Sequence, residues 1–256
     1  MIKIGILYIC TGKYDVFWKE FYESCEEYFC NDCEKHYFVF TDAEKIAYEN
    51  ESKRIHKFFQ ENLGWPDNTL KRFHIFLKQE KEIEETDYLF FFNANCKFVS
   101  EIKSEEFLPK KEKLLFVQHP GYWNKQNKDF PYERSTKSTA YIPKKEGKYY
   151  VCGGVNGGIT LDFINLMKEL KKRIDIDYSN GIIAKWHDES QINRYVYELK
   201  DYKILPPSYC FQPKTSYDKD TRIIVREKSD YIDVVNIKNK SFFQKFKDKL
   251  YRFLKG

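Results

Sequence analysis

The stretch Asp87-Tyr88-Leu89-Phe90-Phe91-Phe92-Asn93-Ala94-Asn95 frames the whole chain. Its apolar and aromatic residues follow one another without a polar break. A strand made of them has apolar side chains on both faces and must be covered on both. Such a strand belongs inside a sheet with helices on either side. It stops at two asparagines, and in open α/β sheets ligands bind just beyond the carboxyl ends of strands. Asn93 and Asn95 are therefore candidates to face a ligand. Asparagine offers donors and an acceptor without charge, which suits a polyhydroxyl compound and holds a hard dication poorly. It is also a common turn residue, and both readings stand at this level.

The rest of the chain alternates strand and helix patterns around that segment. Ile4 to Cys10 reads as a first strand, running into a Thr11-Gly12-Lys13-Tyr14 loop that opens a helix with Phe17, Phe21, Ser24 and Tyr28 on one face. His36 to Phe40 and Arg54 to Phe59 read as strands, and Trp65-Pro66-Asp67 as a turn into a helix. Leu114 to Val117 is a strand stopped by His119-Pro120-Gly121, and residues 122–148 are a long polar loop of the kind that carries function. Tyr149 to Cys152 is strand-like, Phe163 to Ile174 helical, and Ser190 to Tyr197 a further helix. Lys203 to Leu205 and Ile223 to Val225 close the pattern as short strands. The fold class is α/β, a central mixed sheet flanked by helices.

Charge and cysteine content narrow the setting. The net charge is +5, yet the segment from Lys238 onward holds seven basic residues against Asp248 alone. The body is neutral and the tail is the basic element, so a nucleic-acid role is disfavoured. Seven irregularly spaced cysteines argue for a reducing compartment. Cys30-x-x-Cys33 near His36 lacks the second paired set that a structural zinc site needs. No stretch approaches the roughly 20 apolar residues of a membrane span, and Ile4 to Cys10 lacks a cleavage site after it. The expectation is a cytoplasmic protein.

Three further stretches could carry chemistry. Thr11-Gly12-Lys13-Tyr14 follows the first strand, where a nucleotide often sits, but is not a P-loop. Gly153-Gly154-Val155-Asn156-Gly157-Gly158 holds two glycine pairs, read either as a hairpin turn or as a loop that lets backbone approach a ligand. A side chain at Gly154 would narrow a pocket there. Trp186-His187-Asp188-Glu189 puts two carboxylates, a histidine and an indole before a helix. Acids at a helix start are often caps, yet a buried carboxylate can also stabilise or attack a sugar cation.

Together these motifs resemble the retaining glycosyltransferases of the histo-blood-group A/B and α-1,3-galactosyltransferase family, and most of all its bacterial members. The likeness rests on Gly12-Lys13-Tyr14, Trp65 to His74, Asp87 to Asn95, His119 to Tyr122, Tyr132-Glu133-Arg134, Ala140 to Pro143, Glu146-Gly147, Gly153 to Gly158 and Asn180 to Ser190. It runs from about residue 2 to 228 in the family's order. It implies a GT-A fold, a UDP-GalNAc or UDP-Gal donor, and transfer to a galactose 3-hydroxyl with retention. By the resemblance, Ile9, Cys10, Thr11 and Tyr14 hold uridine, and Arg72 contacts the donor. Cys152, Gly153 and Gly154 lie where the donor sugar is chosen, and Gly154 matches the GalNAc-using type. Asp188 grips the donor sugar. His119 and Trp186 hold the acceptor galactose, and Glu189 is the nucleophile or the cation-stabilising group.

Departures from the family matter as much. Animal members carry Asp-x-Asp and bind Mn²⁺ where this chain has Asn93-Ala94-Asn95, so the expectation is an enzyme without a metal cofactor. Arg226 and Lys228 are then expected to neutralise the departing diphosphate. Pro131 and Ser135 replace family residues in the acceptor region, a fucosylated galactoside being the expected acceptor. The chain divides near Asn236 into a catalytic domain, 1–236, and a tail, 237–256. In the tail Phe242, Phe246, Leu250 and Phe253 fall at helical spacing opposite lysines. That is the pattern of a helix drawn to anionic lipid at the inner membrane, or of a helix packed on the domain. Without the resemblance, a sugar hydrolase using Asp188 and Glu189 and a non-catalytic glycan-binding module compete. Adjacent carboxylates splay apart, which suits the hydrolase poorly.

Overall fold

A computed structural model describes residues 1–213 and 218–233. In chain order it comprises β1 (Lys3–Ile9), α1 (Trp18–Tyr28), β2 (Glu34–Thr41), β3 (Ile55–Phe59), α2 (Asp67–Leu70), α3 (Arg72–Phe76), α4 (Glu80–Ile83), β4 (Tyr88–Phe92), β5 (Cys96–Phe98) and α5 (Ser104–Phe107). Then come β6 (Leu114–Gln118), β7 (Val151–Ile159), α6 (Thr160–Ser179), α7 (Asp188–Glu198), β8 (Lys203–Leu205) and β9 (Ile223–Val225). The boundary near Asn236 and the tail at 237–256 lie outside the described residues.

Seven strands form one sheet in the order β3-β2-β1-β4-β7-β6-β8. The first four run parallel; β7 is antiparallel to both β4 and β6, and β8 is parallel to β6. β4 lies at the centre, as its unbroken apolar run requires. Phe90 and Phe92 enter the core on the α1 side, while Leu89 and Phe91 enter the core formed with α3, α6 and α7. Leu89, Phe90 and Phe92 are fully buried, and each such side chain contributes roughly 2–3 kcal/mol by leaving water.

The glycine segment departs from expectation. Gly153 to Gly158 is neither a loop nor a turn but the body of β7, in which Asn156 to Gly158 pair with β4 on one side and β6 on the other. The glycines are there because the strand is squeezed: a Cβ on Gly157 would lie 2.3 Å from the Leu89 carbonyl oxygen. Two smaller differences concern local signals. α7 begins at Asp188 rather than Ser190. Cys96–Phe98, with no pattern of its own, pairs with β9 as a second, two-stranded sheet. That pairing folds the chain after residue 222 back beside the Asn93–Asn95 turn.

The long segment after β6 has no regular structure beyond a short 3-10 turn at Asn127–Asp129, yet it is tied down. Buried Asp177 on α6 accepts from Ser138 Oγ (2.6 Å), Thr139 N–H (2.7 Å) and Gln191 Nε2 (3.1 Å). Glu133 accepts from Ser135 N–H at 2.8 Å and from Lys185 N–H at 2.7 Å. The loop is thereby fixed to the segment that carries Trp186. All seven cysteines are free and buried, and the described residues contain no His/Cys/Asp/Glu cluster able to hold a metal ion. Among them, no helix is long and apolar enough to cross a membrane.

Candidate active site

A cleft of ≈ 1030 Å³ opens at the carboxyl ends of β1 and β4. One wall is the end of β1 and the segment after it, with Ile9, Thr11 and Tyr14; the floor is Phe91 and the Asn93-Ala94-Asn95 turn. Arg72, Thr69, Asn68 and Trp65 from the α2–α3 region face them, and Lys228 closes the rim. Its ammonium lies 5.3 Å from the centre of the Tyr14 ring.

The asparagine segment is a turn at the floor of the cleft. Cys96 N–H donates to the Asn93 carbonyl at 2.9 Å, which makes the segment a turn, and all three residues line the cleft. Asn95 is buried; its Nδ2 donates to the Arg226 carbonyl at 2.6 Å, while its Oδ1 has no protein partner. Asn93 packs on β7, where a Cβ on Gly154 would lie 2.8 Å from its Nδ2 and 3.5 Å from Cys210 Sγ. The absent side chain at 154 therefore lets the Asn93 amide sit against β7; a Cβ there would displace it.

Arg72 joins this cleft to the acidic pair on α7. Its guanidinium lies 4.2 Å from the centre of the Phe91 ring and donates from Nη1 to the Gly153 carbonyl at 2.7 Å. Its Nε makes an ion pair with Asp188 Oδ2 at 2.9 Å. Neither buried oxygen of Asp188 has a side-chain hydrogen-bond donor, and the backbone N–H groups of Asp188 and Glu189 are close enough to favour its charged form. Burial pushes the Asp188 carboxyl up to about 7, Arg72 opposing and Glu189 adding to the rise.

Glu189, one residue on, points elsewhere. Its Oε1 accepts from Tyr150 O–H at 2.6 Å and its Oε2 from Gly153 N–H at 2.8 Å. Adjacent carboxylates at a helix start diverge, and here one meets the arginine while the other meets a tyrosine and a backbone amide. Both also lie at the positive end of the α7 dipole. Neither caps the helix; instead Ser190 Oγ accepts from Trp186 N–H at 3.0 Å. His187 enters α7 with φ +54, a left-handed backbone that costs a non-glycine residue about 1–3 kcal/mol. Its ring meets the Trp65 indole edge-on at 5.5 Å.

An aromatic cluster stands beside Glu189. Tyr150 packs against Tyr122, Tyr132, His119 and Phe130 at 5.1, 5.5, 5.6 and 6.2 Å between ring centres. Burial lowers the His119 pKa against the pull of Glu189, and Gly121 N–H donates to its Nδ1 at 3.0 Å. The neutral ring assigned from that bond carries its proton on Nε2. Trp186 is 46% exposed, leaving an indole surface for a ligand.

Three expected site residues are placed otherwise. Cys10 points into the core with no exposed surface, since side chains alternate along the strand end and Ile9 and Thr11 take the cleft side. Cys152, on β7, is also buried, in the same core as Cys10. Arg226 does not line the cleft: it pairs with Glu20 at 3.0 Å and donates to the carbonyls of Phe17, Asn95 and Cys96 at 3.2–3.3 Å. Its guanidinium is held by α1 and the turn, not offered to a phosphate. Sequence reasoning missed Tyr150 and Asn62, neither of which sits in a pattern that marks it, and gave Asn68 no role although it lies within the Trp65 to His74 motif. Buried Asn156 also went unnoticed, and a lone amide in an apolar strand was the available signal.

Residues 1–235 match the family described as glycosyltransferase family 6. The chain is a family 6 glycosyltransferase. It is 39% identical over 226 residues to the O-antigen biosynthesis glycosyltransferase WbnI of Escherichia coli, covering 88% of this chain and 94% of that one. It is 31% identical over 217 residues to the histo-blood group ABO system transferase 1 of Rattus norvegicus, covering 82% and 61%. It is 29% identical over 233 residues to the globoside α-1,3-N-acetylgalactosaminyltransferase 1 of Homo sapiens, covering 87% and 65%. The chain thus spans under two thirds of the length of these animal relatives. As a family 6 member it has a GT-A type fold and is a hexosyltransferase that takes a nucleotide-sugar donor and a glycan acceptor.

Proposed function

We propose that the protein is a retaining, metal-independent α-1,3-N-acetylgalactosaminyltransferase. It moves GalNAc from UDP-GalNAc to the 3-hydroxyl of a galactose acceptor, fucosylated as in blood-group-A-like surface glycans. The observation that carries this reading is Glu189, both oxygens held by donors, beside the Arg72–Asp188 pair at the end of the cleft. Uridine lies along Ile9, Thr11 and Tyr14, and the sugar reaches toward Arg72 and β7. Asp188, short of side-chain hydrogen-bond donors, accepts from sugar hydroxyls. Gly154 lets the Asn93 amide lie back against β7, and the acetamido group takes the room this leaves on the cleft floor. His119 Nε2–H and the Trp186 indole orient the acceptor galactose.

In the reaction the anomeric C–O bond breaks and UDP leaves. The acceptor 3-oxygen attacks the same face, and its proton passes to the departing phosphate. Glu189 stabilises the positive charge that develops at the anomeric carbon; its two hydrogen bonds support a fixed anion more than a free nucleophile.

The Asn93–Asn95 site does not fit a divalent cation. It offers neutral amides, one already committed to the Arg226 carbonyl, where a hard ion favours carboxylates. No step runs through a metal. Stabilisation of the leaving diphosphate falls to Lys228 at the rim, with Arg226 holding the turn beneath it. The basic tail at 237–256 docks the enzyme on anionic lipid. Equal liposome binding by the full chain and by one ending at Asn236 would remove that part.

A donor-by-acceptor matrix tests the whole reading: UDP-GalNAc and UDP-Gal against galactosides with and without fucose, each with and without EDTA. We expect α-1,3 product from UDP-GalNAc, undiminished by EDTA. A higher kcat/KM for UDP-Gal reverses the donor assignment. Loss of turnover in EDTA with recovery in Mn²⁺ overturns the reading of the asparagines. Glycan binding that survives Glu189→Gln with no transfer by the parent chain would make it a binding module.

A further inference from the structure

A second concavity, of ≈ 740 Å³, lies away from the nucleotide cleft and shares no lining residue with it. It sits between the end of the 122–148 loop and the junction of α7 with β8. Half-buried Tyr149, Tyr197 and Tyr202 line it, with Lys148, Lys200 and Asp201 around the edge. Lys148 lies over the Tyr149 ring at 5.0 Å and Arg194 over the Tyr197 ring at 5.4 Å, each cation covering one face of its ring.

Its position relates it to the reaction. Tyr197 and Glu189 stand on the same helix, separated by a rise of about 12 Å. The wall between them is a single aromatic layer: Tyr132 lines the groove and packs at 5.5 Å on Tyr150, whose hydroxyl holds Glu189. Tyrosine rings with ammonium and carboxylate groups at their edge match the chemistry of a hexose. A sugar ring lays its C–H face on an aromatic face and turns its hydroxyls to polar side chains.

We infer that this tyrosine groove is a subsite for the inner sugars of an extended oligosaccharide acceptor whose terminal galactose is at Glu189. The inference rests on the transferase reading above. It adds that acceptor length is read by a surface separate from the residues that bind donor and terminal galactose.

The test compares methyl galactoside with a galactose-terminated tetrasaccharide, using UDP-GalNAc and three variants. Wild type favours the tetrasaccharide in kcat/KM. Tyr197→Ala and Tyr149→Ala each lower that preference by about two- to tenfold, leaving methyl galactoside turnover and donor KM unchanged. Tyr197→Phe keeps the preference, because the ring face is retained while the hydroxyl that donates to Glu146 is lost. Equal kcat/KM for both acceptors in wild type, or equal loss on both acceptors in the alanine variants, overturns the subsite. Direct titration of the tetrasaccharide by calorimetry, without donor, separates the two levels. Tyr197-dependent binding with no transfer leaves the groove standing and sinks the transferase reading. Transfer without length dependence does the reverse.

Discussion

Tyr150→Phe isolates the hydrogen bond that fixes Glu189. The ring stays in its cluster, with neighbours at 5.1–6.2 Å on several sides, so only the O–H···Oε1 contact of 2.6 Å is removed. A hydrogen bond to a charged group is worth about 1.5–3 kcal/mol. If it holds the carboxylate where charge develops, the whole of that energy enters the barrier. At about 1.4 kcal/mol per tenfold, kcat falls about ten- to hundredfold. Tyr150 does not line the nucleotide cleft, so affinity for UDP stays the same. Transfer assays with UDP titration by calorimetry and a thermal melt measure the three quantities together. Activity above half of wild type would refute the reasoning, as would a parallel fall in UDP affinity and melting temperature.

Three other changes rest on the same geometry. Gly154→Ala places a methyl 2.8 Å from the Asn93 amide, so kcat/KM for UDP-GalNAc drops about tenfold relative to UDP-Gal; an unchanged ratio would remove Gly154 from donor choice. Asp188 has its carboxyl raised to about 7 by burial, so its contribution to stability is full below about pH 4 and lost as pH rises through about 7. From pH 5 to 8 the wild type loses about 2–3 kcal/mol relative to Asp188→Asn; urea unfolding across that range should show the two curves converging or crossing in that direction, not the opposite one. Glu133→Gln sets an amide N–H₂ against one of two N–H donors, at Ser135 or Lys185. The turn carrying Trp186 shifts, and acceptor KM rises about tenfold while UDP binding holds. Equal effects on both substrates would show a general loss of packing instead.

Sequence alone determined the α/β class and most of the strands and helices, because hydrophobic periodicity is a local property. A run such as Leu89 to Phe92 reads as a doubly covered strand, and the Trp186–Glu189 and Asn93–Asn95 motifs marked candidate residues that the fold brings to the cleft or beside it. Tertiary structure decided the rest. Whether Gly153 to Gly158 is a loop or a strand depends on how closely β4 and β6 approach, which no local pattern encodes. Arg226 and Lys228 look alike as cations two residues apart, yet one is drawn into a carbonyl nest formed by α1 and the turn, while the other reaches the cleft. Tyr150 became part of the site only when β7 was laid against the first turn of α7. Long-range pairing sets which side chains share a surface, and charge and hydrogen bonding act only between groups that do.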